Sequence, residues 1–144
     1  MCIRDRSVIM IYMIKKNDQP LKGFDDLTFN KHPHCSGIVA RLAFGSRNQF
    51  EISVVSNVFN GHGLYGNVDM CRDTEQFDYL NGTYEVAMWY DGRNSMLPLS
   101  AYDDVLGHQT PTQITKLMHQ AHLNDFAWVC LLHNLRDERD KELA

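Results

Sequence analysis

The change in hydrophobic period along the chain restricts its fold more than any other feature. Apolar and polar residues alternate with period two through Ser36–Phe44, Phe50–Val55 and Thr83–Tyr90, a pattern typical of half-buried strands. Beyond Thr110 the apolar residues instead recur at helical spacing, at Ile114, Leu117, Met118 and Ala121. The sequence therefore predicts an α+β fold: an antiparallel β-sheet in the N-terminal two-thirds followed by one or two C-terminal helices.

The alternation also predicts which side chains share a face. The turn cluster Gly45–Asn48 separates the first two alternating segments, which favours a β-hairpin. Met96–Leu99 is interpreted as a short returning strand, which Pro98 confines to a sheet edge. One face is expected to carry Ile38, Ala40, Leu42 and Phe44, then Phe50, Ile52 and Val54, and finally Tyr84, Val86, Met88 and Tyr90.

Capping residues divide the helical region. Thr110 followed by Pro111 is a typical helix start. Asn124-Asp125 interrupts the pattern, and Asp125 is placed to cap a second helix from about Phe126 to Arg136. Because apolar residues surround nearly the whole of that second helix, we expect it to be buried against another subunit.

We divide the 144 residues into three parts. Residues 1–21 are interpreted as an N-terminal arm, residues 22–124 as a single ligand-binding domain, and residues 125–144 as a C-terminal helix with a charged tail. The opening letters MCIRDR resemble translated adapter sequence, and on that interpretation the natural start is Met10 or Met13.

Composition excludes several classes of protein. The formal net charge of −4 argues against binding to duplex nucleic acid, which normally requires a basic face. No apolar run reaches the roughly 20 residues that span a bilayer. The four cysteines are widely and irregularly spaced, so we interpret them as free thiols in a reducing cytosol.

Candidate metal ligands and catalytic groups are present but poorly arranged. His32–Cys35 reads HPHC, and His119 and His122 lie three residues apart on the predicted helix, off its apolar stripe and therefore toward solvent. Neither group has the paired spacing of a zinc site, so we expect no metal and no other cofactor. The chain also lacks the GxSxG and HExxH motifs, and we expect no catalytic residues.

A glycine-rich loop and an aromatic–acidic pair are the better candidates for binding. Gly61–Gly66 matches GxGxxG without the strand and helix that normally flank it, but its backbone N–H groups could still face an anion. Tyr65 adds a ring to this loop and Asn67 adds an amide. In Tyr84-Glu85, a ring able to stack on a base precedes a carboxylate able to accept ribose hydroxyl protons.

An ordered set of short motifs resembles one phage-encoded family. The segments are FDDLTFNKHPHCSGIVARLAF, ISVV, LYGN, GTYEVAMWYDG and YDDVLGHQTPTQITKLM, which together span about Phe24 to Leu123. In this order they resemble the first type of Thoeris anti-defence protein, a family that sequesters cyclic-ADP-ribose-like signals. Val68–Asn81 and Phe126–Leu135 depart from the family pattern.

The resemblance implies a function. Such proteins are not enzymes: in the cytoplasm of the infected bacterium they bind the glycocyclic ADP-ribose made by an immune TIR-domain protein, and they leave it intact. The effector is then not activated. The resemblance also implies a pocket between the subunits of a homodimer, and in some members a hexamer that holds cyclic trinucleotides at separate sites.

The resemblance also assigns residues. The family's stacking aromatic residue and the acidic residue after it match Tyr84 and Glu85, and its ligand-contacting turn asparagine matches Asn94. Two family arginines have no arginine counterpart in this chain. His108 stands near the position of one, and Ser56-Asn57 occupies the position of the other.

Two functions of other classes stay open at this level. One is a protein-binding inhibitor that acts through the apolar C-terminal helix. The other is a small hydrolase of cyclic nucleotides with His32, His34 or His62 as its base.

Overall fold

The computed structural model describes residues 19–72, 74–92, 95–100 and 103–143, and it confirms the α+β class. Residues 1–18 of the predicted arm therefore lie outside the described residues. The strands are β1 (Asn30–Lys31), β2 (Gly37–Phe44), β3 (Phe50–Asn57), β4 (Tyr84–Tyr90), β5 (Ser95–Met96) and β6 (Leu106–Gln109), and the helix is α1 (Pro111–Leu143). Short 3-10 turns occur at Phe24–Asp26 and Tyr79–Asn81.

The sheet is antiparallel, with neighbouring strands in the order β1-β2-β3-β4-β5 and β6 also paired to β4. The predicted hairpin is confirmed, because β2 and β3 pair from Phe44 opposite Phe50 to Gly37 opposite Asn57. Strand β4 pairs with β3 along one edge, from Phe50 opposite Tyr90 to Val55 opposite Glu85.

The outer edge of β4 is shared by two short strands. β5 pairs with the C-terminal end of β4, and β6 pairs with its N-terminal end. The returning strand predicted at Met96–Leu99 is thus shifted, and it ends at Met96. The sequence did not predict β6, which extends the sheet beyond the N-terminal two-thirds of the chain.

The predicted apolar face forms the core, and α1 packs across it. Ile52, Val54, Val86 and Met88 are fully buried together with Ile114 and Met118 of the helix. The Phe50 ring meets the Trp128 ring edge to face, with centroids 6.0 Å apart. The second half of α1 therefore belongs to the same core as the sheet.

Helix α1 is assigned as one element from Pro111 to Leu143, but one residue within it has a non-helical backbone conformation. Asp125 has a φ of 42° inside α1, so the predicted interruption is confirmed at the predicted residue. Its carboxylate accepts a hydrogen bond from the Gln49 side chain at 3.1 Å and one from Arg47 at 3.4 Å. The helix then continues to Leu143 rather than ending near Arg136.

The second half of α1 is apolar on two sides. Trp128, Val129 and Leu132 face the core, whereas Phe126 and Leu131, together with Leu123 just before the break at Asp125, remain exposed. We call these residues the helix stripe; they are Leu123, Phe126 and Leu131.

The opposite face of the sheet, here named the open face, is not covered by α1. Its side chains form three rows across β2, β3 and β4, and many of them are half-buried. From the register, the rows are Val39–Val55–Glu85, Arg41–Ser53–Ala87 and Ala43–Glu51–Trp89.

Within the described residues, no helix combines the length and apolarity needed to cross a membrane. Cys35, Cys71 and Cys130 are free thiols, and Cys2 lies outside the described residues.

Candidate functional site

One short segment gathers most of the predicted ligand-binding residues at the end of the sheet. The Asn57 N–H donates to the Gly66 carbonyl at 3.1 Å, and the Thr83 N–H donates to the Asn67 carbonyl at 3.0 Å. On the other side, the His108 N–H donates to the Tyr65 carbonyl at 2.8 Å. The segment Leu64–Val68 therefore bridges β3, β6 and Thr83, the residue that precedes β4.

A β-bulge in β6 brings His108 opposite Glu85. Tyr84 pairs with Gln109 and Val86 pairs with Leu106, so Gly107 and His108 together oppose the single residue Glu85. His108 has a φ of 54°, which is uncommon for a residue with a side chain. Bulges are frequent beside functional sites because they redirect a side chain.

Tyr65 is held over this bulge. A Cβ atom on Gly107 would lie 2.8 Å from the Tyr65 Cβ, so glycine is required for this close approach. The ring of Tyr65 meets the ring of His108 edge to face, with centroids 6.2 Å apart. Tyr65 is nevertheless 57% exposed, so its ring is accessible to a ligand.

The two asparagines of this region have different positions. Asn57 is buried, and its side-chain amide donates to the carbonyl oxygens of Leu64 at 2.7 Å and Gly66 at 2.8 Å. It thus holds the bridging segment in place, while its buried Oδ1 has no hydrogen-bond partner among the described residues. Asn67 is exposed.

Tyr84 lies in the core. Its ring is fully buried and contacts the rings of Phe24 and Phe29, at centroid distances of 5.2 and 5.4 Å. Its hydroxyl donates to the Tyr79 carbonyl at 2.7 Å. Burial, and secondarily the nearby Tyr79 and Asp78, raise the pKa of the Tyr84 hydroxyl well above its usual value.

Tyr84 and Glu85 therefore cannot act on one ligand from the same side. Tyr84 shares the core face with Val86, whereas Glu85 is half-buried on the open face beside Val55. In this arrangement both faces of the Tyr84 ring are enclosed by protein. Tyr65 is the accessible ring near Glu85, and Asn94 lies outside the described residues.

The candidate metal ligands do not converge. Among residues 19–143, as far as the structure describes them, no group of three or more His, Cys, Asp or Glu side chains is placed to hold a metal ion. His32 and His34 lie 6.1 Å apart between ring centroids, and the backbone N–H of His34 donates to Nδ1 of His32 at 3.1 Å. His119 and His122 are half-buried rather than solvent-facing.

The chain matches no protein-family model, and no curated protein or solved structure is significantly similar to it. The chemistry of the site must therefore be judged from its own residues. We call Tyr65, Asn67, Glu85 and His108 the bulge site. It combines an exposed aromatic ring, an imidazole, a carboxylate and an exposed amide at the end of the sheet. This combination suits recognition of a planar ring bearing hydroxyl groups.

Proposed function

We propose that this protein is a phage anti-defence sponge that binds a cyclic ADP-ribose-type immune signal, glycocyclic ADP-ribose, in the bacterial cytoplasm without cleaving it. Two observations support the proposal. The ordered motifs resemble the first type of Thoeris anti-defence protein, and the β6 bulge holds His108 opposite Glu85 and bonded to Tyr65.

The proposal depends mainly on the bulge, where His108 lies opposite Glu85 and is bonded to Tyr65. Tyr65 stacks on the adenine, a contact that contributes about 1–3 kcal/mol per base. The Glu85 carboxylate accepts hydrogen bonds from ribose hydroxyls, and each such charged bond contributes about 1.5–3 kcal/mol. Tyr84 supports Glu85 from beneath by anchoring β4 in the core.

A nucleotide bound at the bulge site needs a second wall, because tight ligand sites enclose most of their ligand. We propose that a second copy of the chain supplies this wall by packing on the open face, where the bulge site lies. Val39, Val55 and Ala87 provide apolar area there, and Arg41 provides a charge for a carboxylate of the other copy. Such a two-fold contact is self-complementary.

The helix stripe offers a different surface on the opposite layer of the molecule. Leu123, Phe126 and Leu131 are 69%, 64% and 54% exposed, and several large exposed apolar residues on one helix favour a contact surface. Two separate contact surfaces are the minimum for assembly beyond a dimer. We therefore extend the proposal to a hexamer, in which cyclic trinucleotides bind at sites apart from the bulge site.

A depletion and recovery experiment tests the proposal. The protein is incubated with glycocyclic ADP-ribose, the free ligand is measured after filtration, and the measurement is repeated after heat denaturation. A sponge depletes the ligand and then releases it intact. Irreversible loss of the ligand would instead show that the protein is an enzyme, as the cyclic-nucleotide hydrolase alternative requires.

The helix stripe also favours a second candidate function, a protein-binding inhibitor. In that case the apolar residues Leu123, Phe126 and Leu131 contact a host protein, and the bulge site has no signal ligand. The same experiment separates the two functions, because an inhibitor of this kind leaves the concentration of free glycocyclic ADP-ribose unchanged.

A further inference from the structure

A second site is indicated by an unusual turn at Val58–Gly61. The N–H of Gly61 donates to the Val58 carbonyl at 2.9 Å, and the two central residues, Phe59 and Asn60, have φ values of 52° and 60°. Positive φ at both central positions is the pattern of a type I′ turn, which strongly prefers asparagine and glycine. Phenylalanine at the first of these positions is strained.

Phe59 is also exposed. Its relative exposure of 71% leaves a large apolar ring in water, in addition to the backbone strain. Both features are unfavourable for stability, and strained residues of this kind concentrate at functional sites and ligand clamps.

The position of Phe59 is fixed by the backbone around it. The Val58 N–H donates to the Ser36 carbonyl at 3.2 Å, and the Ser36 hydroxyl donates to the Val58 carbonyl at 3.2 Å. A Cβ atom on Gly61 would lie 2.4 Å from the Ser36 carbonyl oxygen, so the turn is closely packed against this residue. The exposed ring of Phe59 is thus held over one place on the surface.

That place is the mouth of a cavity of about 370 Å³. The ring of Phe59 meets that of Phe77 with centroids 5.5 Å apart, and Phe77 meets Tyr79 at 5.8 Å. Tyr79 in turn stacks on Phe29 at 5.2 Å. Four aromatic rings therefore surround a cavity at the lower end of the size range for ligand pockets, which is roughly 300–1,000 Å³.

The floor of this cavity is apolar and its rim carries one cation. Ile38 and Val58 are buried beneath it, and Asn30 and Lys31 of β1 lie at its edge. Lys31 is exposed, and no carboxylate lines the cavity. A positive rim above aromatic walls is complementary to an anionic group attached to a flat ring.

We propose that this cavity, the Phe59 pocket, binds a planar aromatic anion of one or two fused rings. The ring lies among Phe59, Phe77 and Tyr79, and the negative group pairs with Lys31. The pocket lies on the core side of the sheet, on the side of Ile38, whereas the bulge site lies on the open face. It also uses Phe77 and Tyr79, which belong to the segment that departs from the family pattern.

The test uses indole-3-acetate as the probe and follows the assigned backbone amide signals of the full chain by NMR. We expect saturable shifts confined to residues around Phe59, Phe77 and Lys31. Neutral indole should bind more weakly, and cationic tryptamine weaker still. Equal binding of tryptamine and indole-3-acetate, or the absence of saturable shifts, would overturn the proposal.

Variants separate the ring contact from the charge contact. Phe59→Ala should weaken both indole-3-acetate and indole, whereas Lys31→Gln should weaken indole-3-acetate about fivefold and leave indole unchanged. Leu80→Ala, which removes another exposed apolar side chain outside the pocket, should bind the probe as the wild type does. Unchanged binding by Phe59→Ala would contradict the proposal.

The proposals for the two sites can be tested independently. Glu85 lies on the open face and does not line the Phe59 pocket, so Glu85→Gln should bind indole-3-acetate with unchanged affinity, even though it weakens binding of the nucleotide at the bulge site. Loss of probe binding in Glu85→Gln would contradict the assignment of the probe to the Phe59 pocket.

Discussion

The backbone N–H of His108 donates a 2.8 Å hydrogen bond to the carbonyl oxygen of Tyr65. This bond joins the bulge of β6 to the glycine-rich loop, two regions that are distant in sequence. The rings of Tyr65 and His108 meet edge to face beside the bulge. The accessible ring of the bulge site is therefore positioned by this backbone bond together with its close contacts to Gly107 and His108.

The left-handed conformation of His108 predicts opposite effects on stability and on binding. His108→Gly removes the strain of a side chain at a φ of 54°, so the free energy of unfolding should rise by about 1 kcal/mol. The same change removes the imidazole and should weaken binding of glycocyclic ADP-ribose. Chemical denaturation and calorimetric titration measure the two effects.

Asn48→Gly is the matched control, because Asn48 has a φ of 53° in the β2–β3 turn, away from the bulge site. Asparagine tolerates this conformation well, so the gain in stability should be smaller, and ligand binding should not change. If His108→Gly bound the ligand as tightly as the wild type, the imidazole would have no role in binding.

Glu85 should contribute to affinity and little to stability. Glu85→Gln retains the shape of the side chain but removes its charge, so affinity for glycocyclic ADP-ribose should fall about 10- to 100-fold. Glu138→Gln, an exposed charge removal on α1, should have no effect. Equal affinities of the two variants, measured by calorimetry, would exclude Glu85 from the site.

Tyr84 should determine stability at alkaline pH. Because burial raises the pKa of its hydroxyl in the folded protein, the unfolded chain releases this proton first as the pH rises. The free energy of unfolding should therefore fall above about pH 10, where a tyrosine in an unfolded chain ionises. Tyr84→Phe should make this decline shallower, and should cost about 1 kcal/mol at neutral pH through the lost hydrogen bond to Tyr79.

In Tyr65→Phe, which alters an exposed tyrosine, the free energy of unfolding should decline at alkaline pH as it does in the wild type.

Tyr84→Ala removes a buried ring and should lower the free energy of unfolding by about 3–5 kcal/mol, a large part of the stability of a domain this size. An alkaline decline that is equally steep in Tyr84→Phe and the wild type would contradict the burial of this hydroxyl.

The helix stripe should support self-association. Replacing Phe126 and Leu131 together by glutamate places charges in an apolar contact, so the mass measured by light scattering should fall. Lys116→Glu, which alters an exposed position in the first half of α1, is the control and should keep the wild-type mass. A mass unaffected by the Phe126 and Leu131 changes would show that the helix stripe is not a contact between copies.

Hydrophobic periodicity predicted the strands that are long enough to show it. β2, β3 and β4 each bury one face against α1, so the alternation of apolar and polar residues in the sequence predicts them directly. β6 has only four residues, and its bulge removes even that short alternation. The end of α1 was placed too early because its last turns are charged and show no apolar pattern.

The site was predicted in part. Tyr65 and Asn67 were selected because a ring and an amide in a glycine-rich loop are available to a ligand. The structure places Tyr65 at the bulge and Asn67 beside Thr83, at the start of β4. Tyr84 was assigned from its position before Glu85 and from the resemblance, although alternation already grouped it with the apolar residues Val86 and Met88. Adjacent strand residues face opposite sides, so Tyr84 and Glu85 could not both contact one ligand on the open face.

Equilibrium dialysis of glycocyclic ADP-ribose against the purified protein tests the central claim most directly. The account predicts that free ligand falls in proportion to added protein, with a dissociation constant in the nanomolar range, equivalent to about −12 kcal/mol. It also predicts that the retained ligand is recovered intact. Equal ligand concentrations on both sides of the membrane, at protein concentrations well above that dissociation constant, would contradict it.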